Sequence, residues 1–247
     1  FKMITALAAL EAGLITPEET VFCPGYMQVS GRRFHCWRSG GHGHMNLVES
    51  LQQSCDVYYY DLAQRAGIER LSEMARRLGL GQRFDLPLSA VAEGLVPDRD
   101  WKRTVRGAAW MVGDSLNASI GQGFVLASPL QLAVMTARLA SGRAVMPRLV
   151  KSIDGVETPI APAADLAVSL ANLALVRKAM HAVSNTRRGT GWNSRTLGAG
   201  LTLAGKTGTS QVRNITAAER AAGVFRNEDL PWERRDHALF VAFAPHD

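Results

Sequence analysis

Apolar residues dominate "FKMITALAALEAG", which predicts an apolar helix ended by Gly13. "NLVESLQQS" opens with Asn46 and carries Glu49 three residues later, the start of a capping box. "VYYYDLAQRAG" and "IERLSEMARRLGLG" predict two more helices, each closed by glycine. A loop-rich stretch containing "GDSLNASIGQGF" then runs to about residue 127. "SPLQLAVMTARLASG" reads as a helix with Ser128 as N-cap, Pro129 in the first turn and Gly142 past its end. "MPRLVKSI" reads as a strand and "DLAVSLANLALVRKAMHAVSN" as a long helix. "LTLAGKTGTSQV" and "HALFVAFAP" read as neighbouring strands of one sheet.

Helices first, then strands mixed with helices, predict an α/β chain of the α+β type. A helical subdomain would stand beside a sheet covered by helices, with the active cleft between them. A chain of 247 residues buries one large core or two small ones, and its 47% hydrophobic content excludes disorder. No internal repeat is present, and no apolar run approaches the roughly 18 residues of a membrane span. Residue 1 falls inside a helical pattern and "DHALFVAFAPHD" stops just after a strand-like run, so a fragment truncated at both ends is expected. The net charge of +6 is carried partly by dispersed pairs: Arg32-Arg33, Arg76-Arg77, Arg187-Arg188 and Arg234-Arg235. Dispersal argues against nucleic acid as a partner and for a solvated face, leaving room for weak attraction to an anionic surface or polymer.

Three short runs carry candidate chemistry. In "GKTGTSQV", Lys206 and Gly208 of a strand face one way, Thr207 and Thr209 the other. The missing side chain at Gly208 lets a ligand or another backbone come close, beside a lysine and hydroxyls suited to a carboxylate. Ser54-Cys55-Asp56 places a serine and a carboxylate two residues apart; in an extended connection they share one side and Cys55 takes the other. Each run alone is equally at home in a solvent-facing turn or a helix cap. Lys2 completes the set: a serine three positions earlier, upstream of residue 1, would lie on the same helix face. A lysine desolvated there among other cations can take a serine's proton.

In this order and spacing, Lys2, Ser54-Cys55-Asp56, "GDSLNASIGQGF" and "GKTGTSQV" resemble the motifs of the penicillin-binding proteins, along nearly the whole chain. "FCPG", "GGHGHMNLVESLQQSCDVYYY" and "RDHALFVAFAP" look closest to the monofunctional class B group of cell elongation, penicillin-binding protein 2. The resemblance implies a serine β-lactamase-like fold, with residues 1–247 forming one transpeptidase domain. It also implies acyl transfer between peptidoglycan stem peptides, with β-lactams as substrate mimics. Lys2 would be the general base, while Ser54 and Asp56 would relay protons and position the leaving group. Lys206, Thr207 and Thr209 would bind the terminal carboxylate, and the Thr209 N–H would form half the oxyanion hole. The strand after Gly208 would pair with substrate backbone. An N-terminal membrane anchor, the periplasmic face of the bacterial inner membrane and membrane proteins of the elongation machinery as partners are implied in the same way.

Two departures stand out: the nucleophile is not in this chain, so the chain as given is not expected to acylate, and Asp56 replaces the more usual Asn. A carboxypeptidase, a β-lactamase or a penicillin-recognising sensor would use the same residues. A zinc-binding interaction module would not need them.

The three cysteines, with His42, follow the spacing Cys23-x12-Cys36-x5-His42-x12-Cys55, between residues 20 and 56. Three thiolates and one imidazole form a closed tetrahedral zinc set, and a closed set is structural. A disulfide with one cysteine left over, or three buried thiols, are the alternatives. The resemblance favours the metal. Gly41 and Gly43 would let the chain turn around His42, with His44 the alternative ligand and His35 a weaker one. On this reading Cys55 anchors the Ser54/Asp56 turn from behind.

Overall fold

The computed structural model describes residues 1–196, 198, 200–212, 216, 219 and 227–246. It is a mixed helix and strand architecture with small antiparallel sheets. Helix α1 (Lys2–Glu11) is buried from Lys2 to Leu10 and packs on α3 (Asp56–Arg77). A helix apolar on every side belongs in the middle of a core. It ends as expected: the N–H groups of Gly13 and Leu14 bond back to the carbonyls of Leu10 and Ala9, at 3.0 Å each. Those two bonds satisfy carbonyls the helix would otherwise leave unpaired.

Four short strands follow. β1 (Val21–Cys23) pairs with β4 (Gly43–Met45), and β2 (Tyr26–Val29) with β3 (Arg32–His35), making a loop that folds back on itself. Helix α2 (Leu47–Gln52) has the capping box its sequence predicts. Asn46 Oδ1 accepts from the Glu49 N–H at 3.0 Å, and Glu49 Oε2 from the Asn46 N–H at 3.2 Å. The two helices expected after residue 56 lie end to end in α3, interrupted at Gly67 with φ 75° and ψ 162°.

The stretch expected to be loop contains two helices, α4 (Arg99–Arg106) and α5 (Val112–Ser119). Asp98 caps α4 by accepting from the Trp101 N–H at 2.8 Å. Asp114 does the same for the Met111 N–H ahead of α5, also at 2.8 Å. Helix α6 (Pro129–Ser141) has the predicted Ser128 cap, with Gly142 at φ 72° past its end. "MPRLVKSI" is not the strand its pattern suggests: only Ser152–Ile153 (β5) is extended, pairing with Val156–Glu157 (β6). Met146, Leu149 and Val150 stay exposed, so the apolar positions there have no face to cover. Helix α7 (Leu170–Asn185) starts later than the pattern suggests and lies on β7 (Ala204–Ser210). β7 and β8 (His237–Phe243) pair antiparallel, from Ala204 opposite Phe243 to Ser210 opposite His237. The contact of α1, α2 and α7 brings the start of α1, the α2–α3 junction and β7 together. Among the described residues, no helix is long and apolar enough to cross a membrane.

Candidate active site and cysteine–histidine cluster

Lys2, Ser54 and Lys206 come from three distant parts of the chain and meet at the Ser54 hydroxyl, with Asp56 joined to them through Lys2. Ser54 Oγ lies 2.9 Å from Lys2 Nζ and 2.9 Å from Lys206 Nζ. Lys2 also donates to the Ser54 carbonyl at 2.7 Å and pairs with Asp56 Oδ1 at 2.7 Å. The second Asp56 oxygen, Oδ2, accepts from the Trp37 backbone N–H at 2.8 Å. Both carboxylate oxygens are therefore held, one by a cation and one by a backbone donor.

The α2–α3 junction is not the simple extended connection expected from sequence. Ser54 sits in the left-handed region at φ 55°, Cys55 is extended, and Asp56 opens α3. A non-glycine residue there costs roughly 1–2 kcal/mol, and its neighbours must hold it. Ser54 N–H donates to Leu51 O at 3.2 Å, Cys55 N–H to Ser50 O at 2.9 Å, and Lys2 grips the Ser54 carbonyl.

Lys206 is only 5% exposed. Burial, and then the nearby charge of Lys2, push its ammonium well below the usual lysine range, with Asp56 pulling the other way. Its Nζ also donates to Thr207 O at 2.9 Å. Thr207 Oγ1 lies 2.7 Å from Thr190 Oγ1, a residue no motif marked. Gly208 and Thr209 follow, both exposed, opposite Leu239 and Ala238. A Cβ built on Gly208 would meet only Leu239, at 3.6 Å. The fold does not require glycine there, and the open side is space for a ligand to approach the strand. Gly121 of "SIGQG" closes against the start of α1: its Cβ would lie 2.8 Å from Phe1 Cβ.

Cys23, Cys36, His42 and Cys55 are buried together, with their ligand atoms all within 4.8 Å of one another. His42 Nδ1 lies 3.6 Å from Cys23 Sγ and 3.4 Å from Cys36 Sγ. Tetrahedral zinc with bonds of 2.0–2.3 Å separates its ligand atoms by about 3.4–3.8 Å; the two His42 distances match that spacing, and three thiols with one imidazole are a donor set that suits the ion. His42 Nε2 is buried without a hydrogen-bond partner among the described residues. His44 lies instead on the exposed side of β4, its ring 5.1 Å from Phe22, and His35 faces Tyr26 across β2 and β3. The tight turn requires Gly41: at φ 76°, its Cβ would lie 2.2 Å from the Cys23 carbonyl oxygen. Cys55 donates to Cys36, which pushes the Cys36 thiol down to about 5. The same bond and burial push Cys55 up, and burial raises Cys23.

The cluster touches the lysine site through two bonds. Cys36 Sγ accepts from the Asp56 N–H at 3.3 Å, and Trp37, the next residue, holds the Asp56 carboxylate. Trp37 Nε1–H also donates to Gln53 O at 3.0 Å, and its ring lies 5.4 Å from that of His42. A side-chain motif search passes over Trp37, because the group that matters is a backbone N–H; its place next to Cys36 was the available signal.

The family model described as penicillin binding protein transpeptidase domain matches residues 1–247. The chain is 34% identical to the peptidoglycan D,D-transpeptidase MrdA of Acinetobacter baumannii, over all of this chain but only 37% of that protein. Its fold is similar to PBP2 of Pseudomonas aeruginosa in complex with WCK 5153, with TM-score 0.84 and 37% identity over 99% of this chain and 52% of that one. A complex between PBP2 and MreC from Helicobacter pylori also matches, with TM-score 0.84 and 34% identity over 99% of this chain and 42% of that one. The chain thus spans well under half the length of the curated relative.

Proposed function

This chain belongs to the penicillin-binding protein transpeptidase family, and from that premise we propose that it carries the acyl-transfer machinery of a peptidoglycan D,D-transpeptidase. The observation that carries the reading is the single hydroxyl of Ser54 between two lysine nitrogens, each at 2.9 Å. The nucleophile is a serine three positions before Lys2 in the longer protein, one helical turn from its Nζ.

Two lysines and one aspartate in so small a buried volume favour net neutrality, hence one ammonium and one neutral amine. The depressed Lys206 supplies the neutral amine, and Ser54 can pass a proton between the two nitrogens. With the vacancy moved to Lys2, that amine takes the serine proton as the oxygen attacks the D-Ala–D-Ala carbonyl. The same proton, returned through Lys2 and Ser54, leaves with the D-alanine amine. A second stem's amine then attacks the acyl-enzyme ester and gives a proton to the Lys2 amine as the N–C bond forms; Lys2 passes it to the departing serine oxygen as the C–O bond breaks, and the serine is regenerated. Thr207 and Thr209 hold the terminal carboxylate, and the Thr209 N–H faces the oxyanion. The edge of β7 after Gly208 seats the substrate backbone.

Zinc fits Cys23, Cys36, His42 and Cys55, where it would supply no reactive group but a rigid closure of the loop. Asp56 N–H on Cys36 Sγ and Trp37 N–H on the Asp56 carboxylate then transmit that rigidity to Asp56. A scaffold of the MreC kind is supported by the Helicobacter pylori complex, and a location at the periplasmic face of the inner membrane follows from the transpeptidase reading.

A fluorescent penicillin tests the reading in a longer polypeptide that includes the serine. A stoichiometric, long-lived adduct is expected. Rapid turnover would instead mean a β-lactamase, and no labelling a binding module.

A further inference from the structure

The segment after α7, Thr186 to Gly191, ties the two halves of the site together. Thr190 N–H donates to Gln52 O at 3.1 Å, and the Gln52 side chain donates to Thr186 Oγ1 at 2.5 Å. Gln52 ends α2, just ahead of the Ser54 turn. On the other side, Thr190 Oγ1 meets Thr207 Oγ1 at 2.7 Å. The backbone path is held by Gly191 N–H on Val183 O at 3.0 Å and Gly189 N–H on Thr186 O at 2.9 Å. Gly189 has no alternative, since a Cβ would lie 2.1 Å from the Val183 oxygen.

We propose that Thr190 is a positioning residue that aims the Thr207 hydroxyl at the carboxylate terminus of the acyl donor. This rests on the transpeptidase reading of the same site. A hydroxyl has one proton and two lone pairs. Thr207 Oγ1 has Lys206 Nζ at 3.5 Å on one side and Thr190 Oγ1 at 2.7 Å on the other. When Thr190 donates to Thr207, the Thr207 proton is left to point outward. An incoming anion selects that orientation, because a chain of hydrogen bonds running Thr190 to Thr207 to carboxylate polarises each member in turn. Thr190 itself is exposed, so its own lone pairs face water, and its removal leaves no buried polar group unpaired.

The test uses the 247-residue chain and non-covalent binding, read by nuclear magnetic resonance titration. The probes are an acylated D-Ala–D-Ala peptide with a free carboxylate and its C-terminal methyl ester. Wild type is expected to prefer the carboxylate. Thr190→Val is expected to narrow that preference about three- to tenfold, the range of one net hydrogen bond, with the ester affinity unmoved. Thr190→Ser should restore the preference, and Thr190→Ala should repeat the Val result. A full preference in Thr190→Val, or equal weakening of both probes, overturns the proposal. Thr207→Val separates the two levels. If it loses the preference while Thr190→Val keeps it, only this inference falls. If wild type has no preference, the carboxylate reading falls with it.

Discussion

Lys206 and Ser54, 152 residues apart in sequence, place Nζ and Oγ 2.9 Å from each other. The consequence is electrostatic as well as geometric. Lys206 is buried beside Lys2, and a second full positive charge there is unfavourable. That makes folding stability depend on pH. Above 10.5 the amine is neutral in folded and unfolded chains alike. As pH falls through 10.5, the unfolded chain takes up a proton that the folded chain refuses until its depressed value is reached. Stability contributed by this residue is therefore lost on going down in pH across that window. Urea denaturation as a function of pH should show a steeper fall of stability with falling pH in wild type than in Lys206→Met.

The Lys2–Asp56 pair is nearly buried, at 2.7 Å, so removing one member strands the other. Lys2→Met or Asp56→Ala should each cost roughly 3 kcal/mol of stability. The double variant should cost clearly less than their sum, by about 1–3 kcal/mol. Asp56→Asn should be milder than Asp56→Ala, since the amide oxygen can still accept from the Trp37 N–H. Additivity in the double-mutant cycle would contradict the pairing.

Two glycines on one strand should behave in opposite ways. A Cβ at Gly205 would lie 2.5 Å from Phe240 Cζ, so Gly205→Ala should lower stability by about 1–3 kcal/mol. A Cβ at Gly208 meets only ordinary contact. Gly208→Ala should leave thermal stability within about 1 kcal/mol while slowing β-lactam acylation at least roughly tenfold, because it fills the space proposed for substrate. Paired melting curves and acylation rates check both.

Cys55 joins the two clusters through its own backbone. Wild type is expected to hold one zinc per chain, and Cys55→Ser to hold less than one and melt at a lower temperature. It should also slow acylation in the longer polypeptide, although Cys55 is buried and touches no proposed substrate. Elemental analysis with a thiol count before and after chelation gives the first result. Full acylation in a zinc-free variant would sever the cluster from the chemistry.

How much of this was legible in the sequence depended on how local the cause was. The ends of α1, α2 and α6 could be read because capping by Gly13, Asn46 with Glu49, and Ser128 with Gly142 is settled within a few residues. Helices α4 and α5 were hidden for the opposite reason. "RDWKRTVR" buries only Lys102, and "VGDSLNAS" carries glycine, serine and asparagine, so neither presents an apolar stripe. "MPRLVKSI" has the composition of a strand, but the apolar residues in it remain exposed. The motif residues and the four-member sulfur and imidazole set were visible as types and spacing. The left-handed Ser54, the Trp37 N–H on Asp56 and the Thr190–Thr207 contact were not. Each depends on where a distant backbone lies, and no side-chain alphabet encodes that.

Ser54, between Lys2 and Lys206, is proposed to move the proton for serine acylation. The most direct test is the acylation rate by benzylpenicillin in the longer polypeptide, with the adduct located by peptide mass mapping, for wild type and Ser54→Ala. One adduct per chain is expected on the serine three residues before Lys2, formed at least about a hundredfold more slowly in Ser54→Ala. Equal rates in the two proteins, or an adduct on any other residue, would contradict it.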